Sequence, residues 1–129
     1  MAASLHTTLR NNRAAQVTSF VGTSAKLRIY TASFATLISE HVCSASAFAG
    51  SPSSGVITWN PVGNAIAAVT GNAATARVYQ SDGTTLAINN LTVTDTSGSG
   101  DVKLDQTGTS IVAGQTVVID SGSWTEGNA

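Results

Sequence analysis

The sequence predicts a mainly-β chain: an antiparallel β-sandwich or jelly roll of about eight short strands with an N-terminal α-helix. Three observations carry that prediction. From Lys26 onward the apolar residues alternate with period two, as in "KLRIY" and "TARVY". Clusters of Gly, Ser, Asn and Asp interrupt these runs about every eight to twelve residues, the spacing of turns in a sandwich. Finally, "AKLRIYTASFATLI" (Ala25–Ile38) recurs as "ATARVYQSDGTTLAI" (Ala74–Ile88), with Arg28, Tyr30, Thr36 and Leu37 answered 49 positions later by Arg77, Tyr79, Thr85 and Leu86. A repeated strand, polar turn and strand reads as two matching β-hairpins.

The element order follows from local chemistry. Residues 4–21 read as a helix capped by Ser4, with Leu5, Leu9, Ala14, Val17 and Phe20 or Val21 near one face. Gly22 is placed to end it, and Arg10 and Arg13 project from its polar side. Residues 25–126 form the sandwich, so 1–129 is read as a single domain. "KLRIY" and "ATLISEHV" make the first hairpin around "TASF". Turn chemistry at Gly50–Gly55 precedes a strand with Val56, Ile57 and Trp59. "AIAAVTG" and "TARVY" follow, and Asp82-Gly83 supplies the positive φ angles of a tight turn before "TTLAINNLTV". The loop "DTSGSGD" leads to "VKLD", "TSIVAG" and "QTVVIDSGSWT".

Charge and composition narrow the function. Charged residues are 10% of the chain, well under the roughly 25% usual in soluble domains, and the net charge of −1 argues against nucleic acid or an anionic membrane as partner. An uncharged surface suits coverage by neighbouring molecules. Residues 1–39 hold Arg10, Arg13, Lys26 and Arg28 without an acid, whereas residues 80–129 hold six acids against Lys103 alone. Oppositely charged ends suit contacts between copies. "MAASLHTTLRNNR" has no apolar leader core and no run approaches a membrane span, so synthesis and assembly in the cytoplasm are expected. Cys43 stands alone, which leaves no intramolecular disulfide and no cysteine-based zinc site.

Few residues offer chemistry. His6 falls in the helix, Glu40-His41 reads as a solvated strand end, and no G-x-S-x-G element presents a serine. Asp95, Ser97, Ser99 and Asp101 alternate like the start of a calcium loop, but Gln106 stands where the twelfth-position glutamate belongs, so a flexible acidic loop is expected. Neither catalytic, metal nor cofactor residues are expected. Carbohydrate binding would need the dispersed aromatics Tyr30, Tyr79, Trp59 and Trp124. Arg28 and Tyr30 share one strand face, as do Arg77 and Tyr79. That face reads either as a solvent-facing surface with each Arg stem over a Tyr ring, or as a subunit contact, since both residue types are enriched in interface hot spots.

The segments "SLHTTLRNNRAAQVTSFV", "LRIY", "SPSSGVITWN", "ARVYQSDGTTLAINNLTV", "SGSGDVKLDQTGTSIVAGQTVVIDS" and "TEGN" together resemble a family of small virion structural proteins of tailed bacteriophages, of the capsid decoration or cement type. This resemblance spans nearly the whole chain and carries no catalytic residues. It implies a virion protein that binds and stabilises the shell of the major capsid protein, often as a homotrimer. The alternative is a tail, connector or head-fibre component, including a host-glycan-binding β-sandwich module. Under either, Arg10, Arg13, Arg28, Tyr30, Arg77 and Tyr79 are the candidate interface residues.

Overall fold

The structure, a computed structural model, describes residues 6–43, 48–53 and 56–125. It is mainly β with one N-terminal helix. Helix α1 spans Thr7–Val21, and the strands are β1 (Lys26–Tyr30), β2 (Leu37–Val42), β3 (Phe48–Ser53), β4 (Val56–Trp59), β5 (Ala65–Ile66) and β6 (Gly71–Asn72). They continue as β7 (Thr75–Tyr79), β8 (Leu86–Asp95), β9 (Val102–Leu104), β10 (Ser110–Ile111), β11 (Thr116–Val117) and β12 (Ile119–Thr125). Eight strands join in one curled sheet, in the order β2-β1-β7-β8-β9-β12-β4-β3. Two-stranded pairs β10-β6 and β11-β5 complete a sandwich-like arrangement.

Period-two alternation places the core. In β1 the inward residues Leu27 and Ile29 are fully buried, and in β7 Ala76 and Val78 are too. Ile38, Ile57, Val102, Leu104, Ile111 and Val117 meet them from the other strands. Each buried Ile, Leu or Val stabilises the fold by roughly 1.5–3 kcal/mol relative to exposure, so this shared interior is what holds the sheet curled.

The helix is attached differently from the sequence expectation. Its cap is His6, whose Nδ1 accepts from the Thr8 N–H at 3.1 Å; Ser4 and Leu5 lie outside the described residues. Gly22 ends it as expected, at φ +75° with its N–H donating to the Thr18 carbonyl. Ala14 and Val21 are the helix residues that enter the core, and Val17 packs partly against it. Leu9 and Phe20 instead stay 46% and 54% exposed. A helix that inserts only small or end-placed residues lies close to the sheet, and this leaves its larger apolar side chains outside the contact.

One neighbouring pair departs from antiparallel pairing. Strands β8 and β9 run parallel, with Val93, Thr94 and Asp95 opposite Val102, Lys103 and Leu104. Parallel neighbours usually need a crossover of a dozen or more residues. Here "TSGSG" and Asp101 suffice because the loop folds tightly over Thr94. A Cβ on Gly98 or Gly100 would sit 2.5 Å and 2.9 Å from atoms of Thr94, and the Thr94 hydroxyl accepts from the Gly100 N–H at 3.0 Å. The acidic loop is therefore pinned. Asp95 accepts from Ser97 and, at 2.7 Å, from the Gly108 N–H, while Asp101 accepts from the Thr92 N–H and hydroxyl. Both carboxylates are engaged in holding the crossover. No group of three or more His, Cys, Asp or Glu is arranged to hold a metal among the described residues.

Cys43 lies in the core at 4% exposure, and burial pushes its thiol up to about 11. A buried, protonated thiol is a poor nucleophile. The native protein is accordingly expected to resist an aromatic disulfide reagent at pH 8 and to react once unfolded in urea. Rapid native labelling would contradict this placement.

Candidate functional site

The repeated hairpins come together as neighbours. Strands β1 and β7 pair antiparallel with Arg28 directly opposite Arg77, Leu27 opposite Val78 and Ile29 opposite Ala76. The two hairpins are thus related by an approximate two-fold axis between the arginines. Their turns match bond for bond. Thr31 N–H donates to the Thr36 carbonyl at 3.0 Å, and Gln80 N–H donates to the Thr85 carbonyl at 2.9 Å. Phe34 N–H donates to Thr31, and Gly83 N–H donates to Gln80. Phe34 and Gly83 also share a positive φ, +56° and +75°. The strand register slips at the same place in both hairpins, between Ile29 and Tyr30 and between Val78 and Tyr79.

Each arginine crosses this axis to the other hairpin. The Arg28 guanidinium lies 4.3 Å from the centroid of the Tyr79 ring. That of Arg77 lies 3.8 Å from the Phe34 ring and 5.6 Å from Tyr30. Tyr30 and Phe34 pack edge to face at 5.6 Å. Stacking therefore runs between hairpins and not from each arginine to its own tyrosine. Each cation–π contact contributes about 0.5–1 kcal/mol at a partly exposed site and, as importantly, fixes the plane of the guanidinium.

The two halves differ in charge. Arg28 Nε donates to Glu40 at 2.6 Å, Arg28 Nη2 donates to the Gly83 carbonyl at 3.0 Å, and Lys26 Nζ lies 3.8 Å from Glu40. Burial alone would lower the Arg28 pKa, but the Glu40 carboxylate and the Tyr30 hydroxyl together raise it, so the guanidinium stays charged. In the second hairpin Asn89 takes the place of Glu40, and Arg77 Nε donates to its amide oxygen at 2.9 Å. Burial and the neighbouring Tyr79 phenol push the Tyr30 hydroxyl pKa up, so the Tyr30 ring stays neutral at physiological pH. Leu37 and Leu86, opposite Tyr30 and Tyr79, are each 40% exposed.

Four of the six expected interface residues, Arg28, Tyr30, Arg77 and Tyr79, thus form one cluster. Arg13 is exposed and Arg10 half-buried on α1, whose main contacts are with β3, so the helix arginines stand apart from it. Lys26, Phe34, Glu40 and Asn89 also belong to this face, a placement that sequence reasoning did not give them. The same 49-residue offset that relates the arginines also relates Glu40 to Asn89 and Phe34 to Gly83.

The remaining candidates sit elsewhere. His41 is not at a solvated strand end: it is fully buried, with Nδ1 2.8 Å from the Gly63 carbonyl and Nε2 2.9 Å from Ser39 Oγ. The carbonyl requires a proton on Nδ1, so Nε2 accepts from the serine hydroxyl. Ser39 is 3% exposed, which closes this pair to a solute. Trp59 is stacked on Phe48 at 4.4 Å, donates from Nε1 to the Asp101 carbonyl at 3.3 Å, and is 9% exposed, so it offers no open ring for a sugar. The Trp124 side chain is outside the described residues. A depression of about 280 Å³ is lined by Trp59, Asn60, Pro61, Ile119, Asp120 and Gly122 among others. Among the described residues that line it, Asp120 alone carries a carboxylate. Comparison of the chain with family models, with curated proteins and with solved structures finds no match.

Proposed function

We propose that the chain is a structural protein of a bacteriophage particle, a capsid decoration protein that binds and stabilises the shell of the major capsid protein without catalysis. On this reading it acts in the virion as a homo-oligomer, with a trimer as the expected form. The observation that supports it best is the open face of β2, β1, β7 and β8. There Arg28, Arg77 and Tyr79 are already ordered by stacking and flanked by half-exposed leucines, while Tyr30 is itself buried. Groups fixed before contact lose little freedom on binding, and Arg and Tyr are the residue types that anchor interfaces. Repeated over many sites of a lattice, modest contacts of this kind resist opening collectively.

Quantitative mass spectrometry of purified particles tests the reading. The expected copy number is comparable to that of the major capsid protein. About a dozen copies or fewer, as a ring at one vertex would hold, would reassign the chain to a tail or connector.

A further inference from the structure

We propose that the Arg77 side of the paired-hairpin face docks a second copy of this chain, receiving the carboxylates of Asp105 and Asp120. This deepens the self-association in the reading above and is independent of attachment to any shell.

The repeat leaves one arginine without an acid. Arg28 and Arg77 are directly opposite on adjacent strands, an arrangement that like charges disfavour. Glu40 neutralises Arg28, but the equivalent position in the second hairpin is the neutral Asn89, and Arg77 makes no ion pair among the described residues. Its Nε is committed to Asn89 and its plane rests on Phe34. The terminal nitrogens are left held in place for an outside acceptor. A guanidinium fixed in this way suits a carboxylate, which it can engage with two parallel hydrogen bonds. On the same sheet face, Leu86 of the adjacent strand and Leu37 and Val42 of β2 are 40%, 40% and 53% exposed.

The complement is found on the chain itself. Glu40 is paired, Asp82 accepts from Thr84 and Thr85, Asp95 from Ser97 and Gly108, and Asp101 from Thr92. Among the acids of the described residues Asp105 and Asp120 remain, both exposed, at the end of the β9-β12 pairing, where the Asp105 N–H donates to the Val118 carbonyl. Among the described residues Asp120 accepts a single 3.3 Å contact, from Ser121 Oγ. Beside them the Gln115 side chain bridges Gln106 and the Val112 N–H, and the adjoining β5-β11 pair carries Ile66. Val112 and Ile66 are 59% and 61% exposed, the largest exposures among the large apolar residues described. A basic centre with apolar corners therefore matches acids with apolar neighbours. The two surfaces differ, so their contact is head-to-tail and closes into a ring or continues as a filament.

Sedimentation velocity of the isolated full chain over a range of protein and salt concentrations tests this. Association that weakens with added salt is expected, because exposed charges carry it. Arg77→Glu should weaken self-association about tenfold or more, as should Asp105→Lys with Asp120→Lys. Combining the three substitutions should recover part of the loss, with thermal melting used to show that each variant is folded. A chain that stays monomeric throughout overturns the proposal, as does association that either set leaves unchanged or that the combination fails to restore. The copy number in particles does not enter these outcomes, so failure of the shell reading leaves this result distinguishable.

Discussion

Replacing Gly122 by alanine is expected to destabilise the protein by about 3 kcal/mol, seen as a fall in Tm of roughly 10–15 °C. Gly122 lies in β12 opposite Val102 of β9. A Cβ there would collide with the Asp101 carbonyl oxygen and stand 2.6 Å from Trp59 Cδ1. The first obstacle is backbone, held by the Ser123 N–H at 3.0 Å, and the second is a ring stacked on Phe48. Neither yields without opening the β9-β12 ladder or expelling the tryptophan. Gly108→Ala provides the contrast. Its φ is +75° but nothing lies within 4 Å of the added carbon, so its cost is the left-handed backbone alone, about 1–2 kcal/mol. Thermal melting of both variants decides the matter: equal losses would mean that the close approach at Gly122 is not what the fold depends on.

The second large effect is acid destabilisation centred on His41. Burial lowers its pKa, with the Gly63 carbonyl opposing in part, so the native imidazole is neutral. On acidification the unfolded chain takes up the proton first, at about pH 6.5. Stability is therefore full above that pH and is lost as pH falls toward the folded pKa, by at most about 1.4 kcal/mol per pH unit for one proton. Urea midpoints between pH 8 and 5 should be flat above about pH 7 and decline below it. His41→Gln keeps a polar side chain between Ser39 and Gly63. It should cost about 2 kcal/mol at pH 8 and remove the decline, because no group is left to titrate there. Identical pH slopes in the two proteins would show that His41 is not the source. Asp82 and Asp95 act in a separate window. Hydroxyl and amide donors hold both carboxyl groups below their ordinary range, so their contribution is present above about pH 4 and is lost only in stronger acid.

Glu40 and His41 illustrate how far sequence reading reaches. Adjacent residues of a strand face opposite sides, so one of the two had to point inward if β2 was covered on one face. Nothing local says which. Pairing with β1 decides it: Glu40 opposes Arg28 on the outer face, and His41 opposes Leu27 in the core. The helix misplacement has a related cause. Leu9 and Phe20 are spaced to lie inward by periodicity, but the sheet accepts only Ala14, Val17 and Val21.

What the sequence determined by itself was whatever depends on short-range periodicity and turn chemistry. That covers a mainly-β chain behind one helix, two hairpins with Arg and Tyr on one face and small aliphatics on the other, and a helix end at Gly22. Tertiary structure alone decided that β1 lies beside β7, and therefore that Arg28 stacks on Tyr79 while Arg77 stacks on Phe34. It also decided the parallel β8-β9 pairing and the closeness of Gly122 to Trp59. The physical reason is common to all of these. Alternation fixes which way a side chain points relative to its own strand, whereas its partners depend on which strands meet, and in what register, across long separations in the chain.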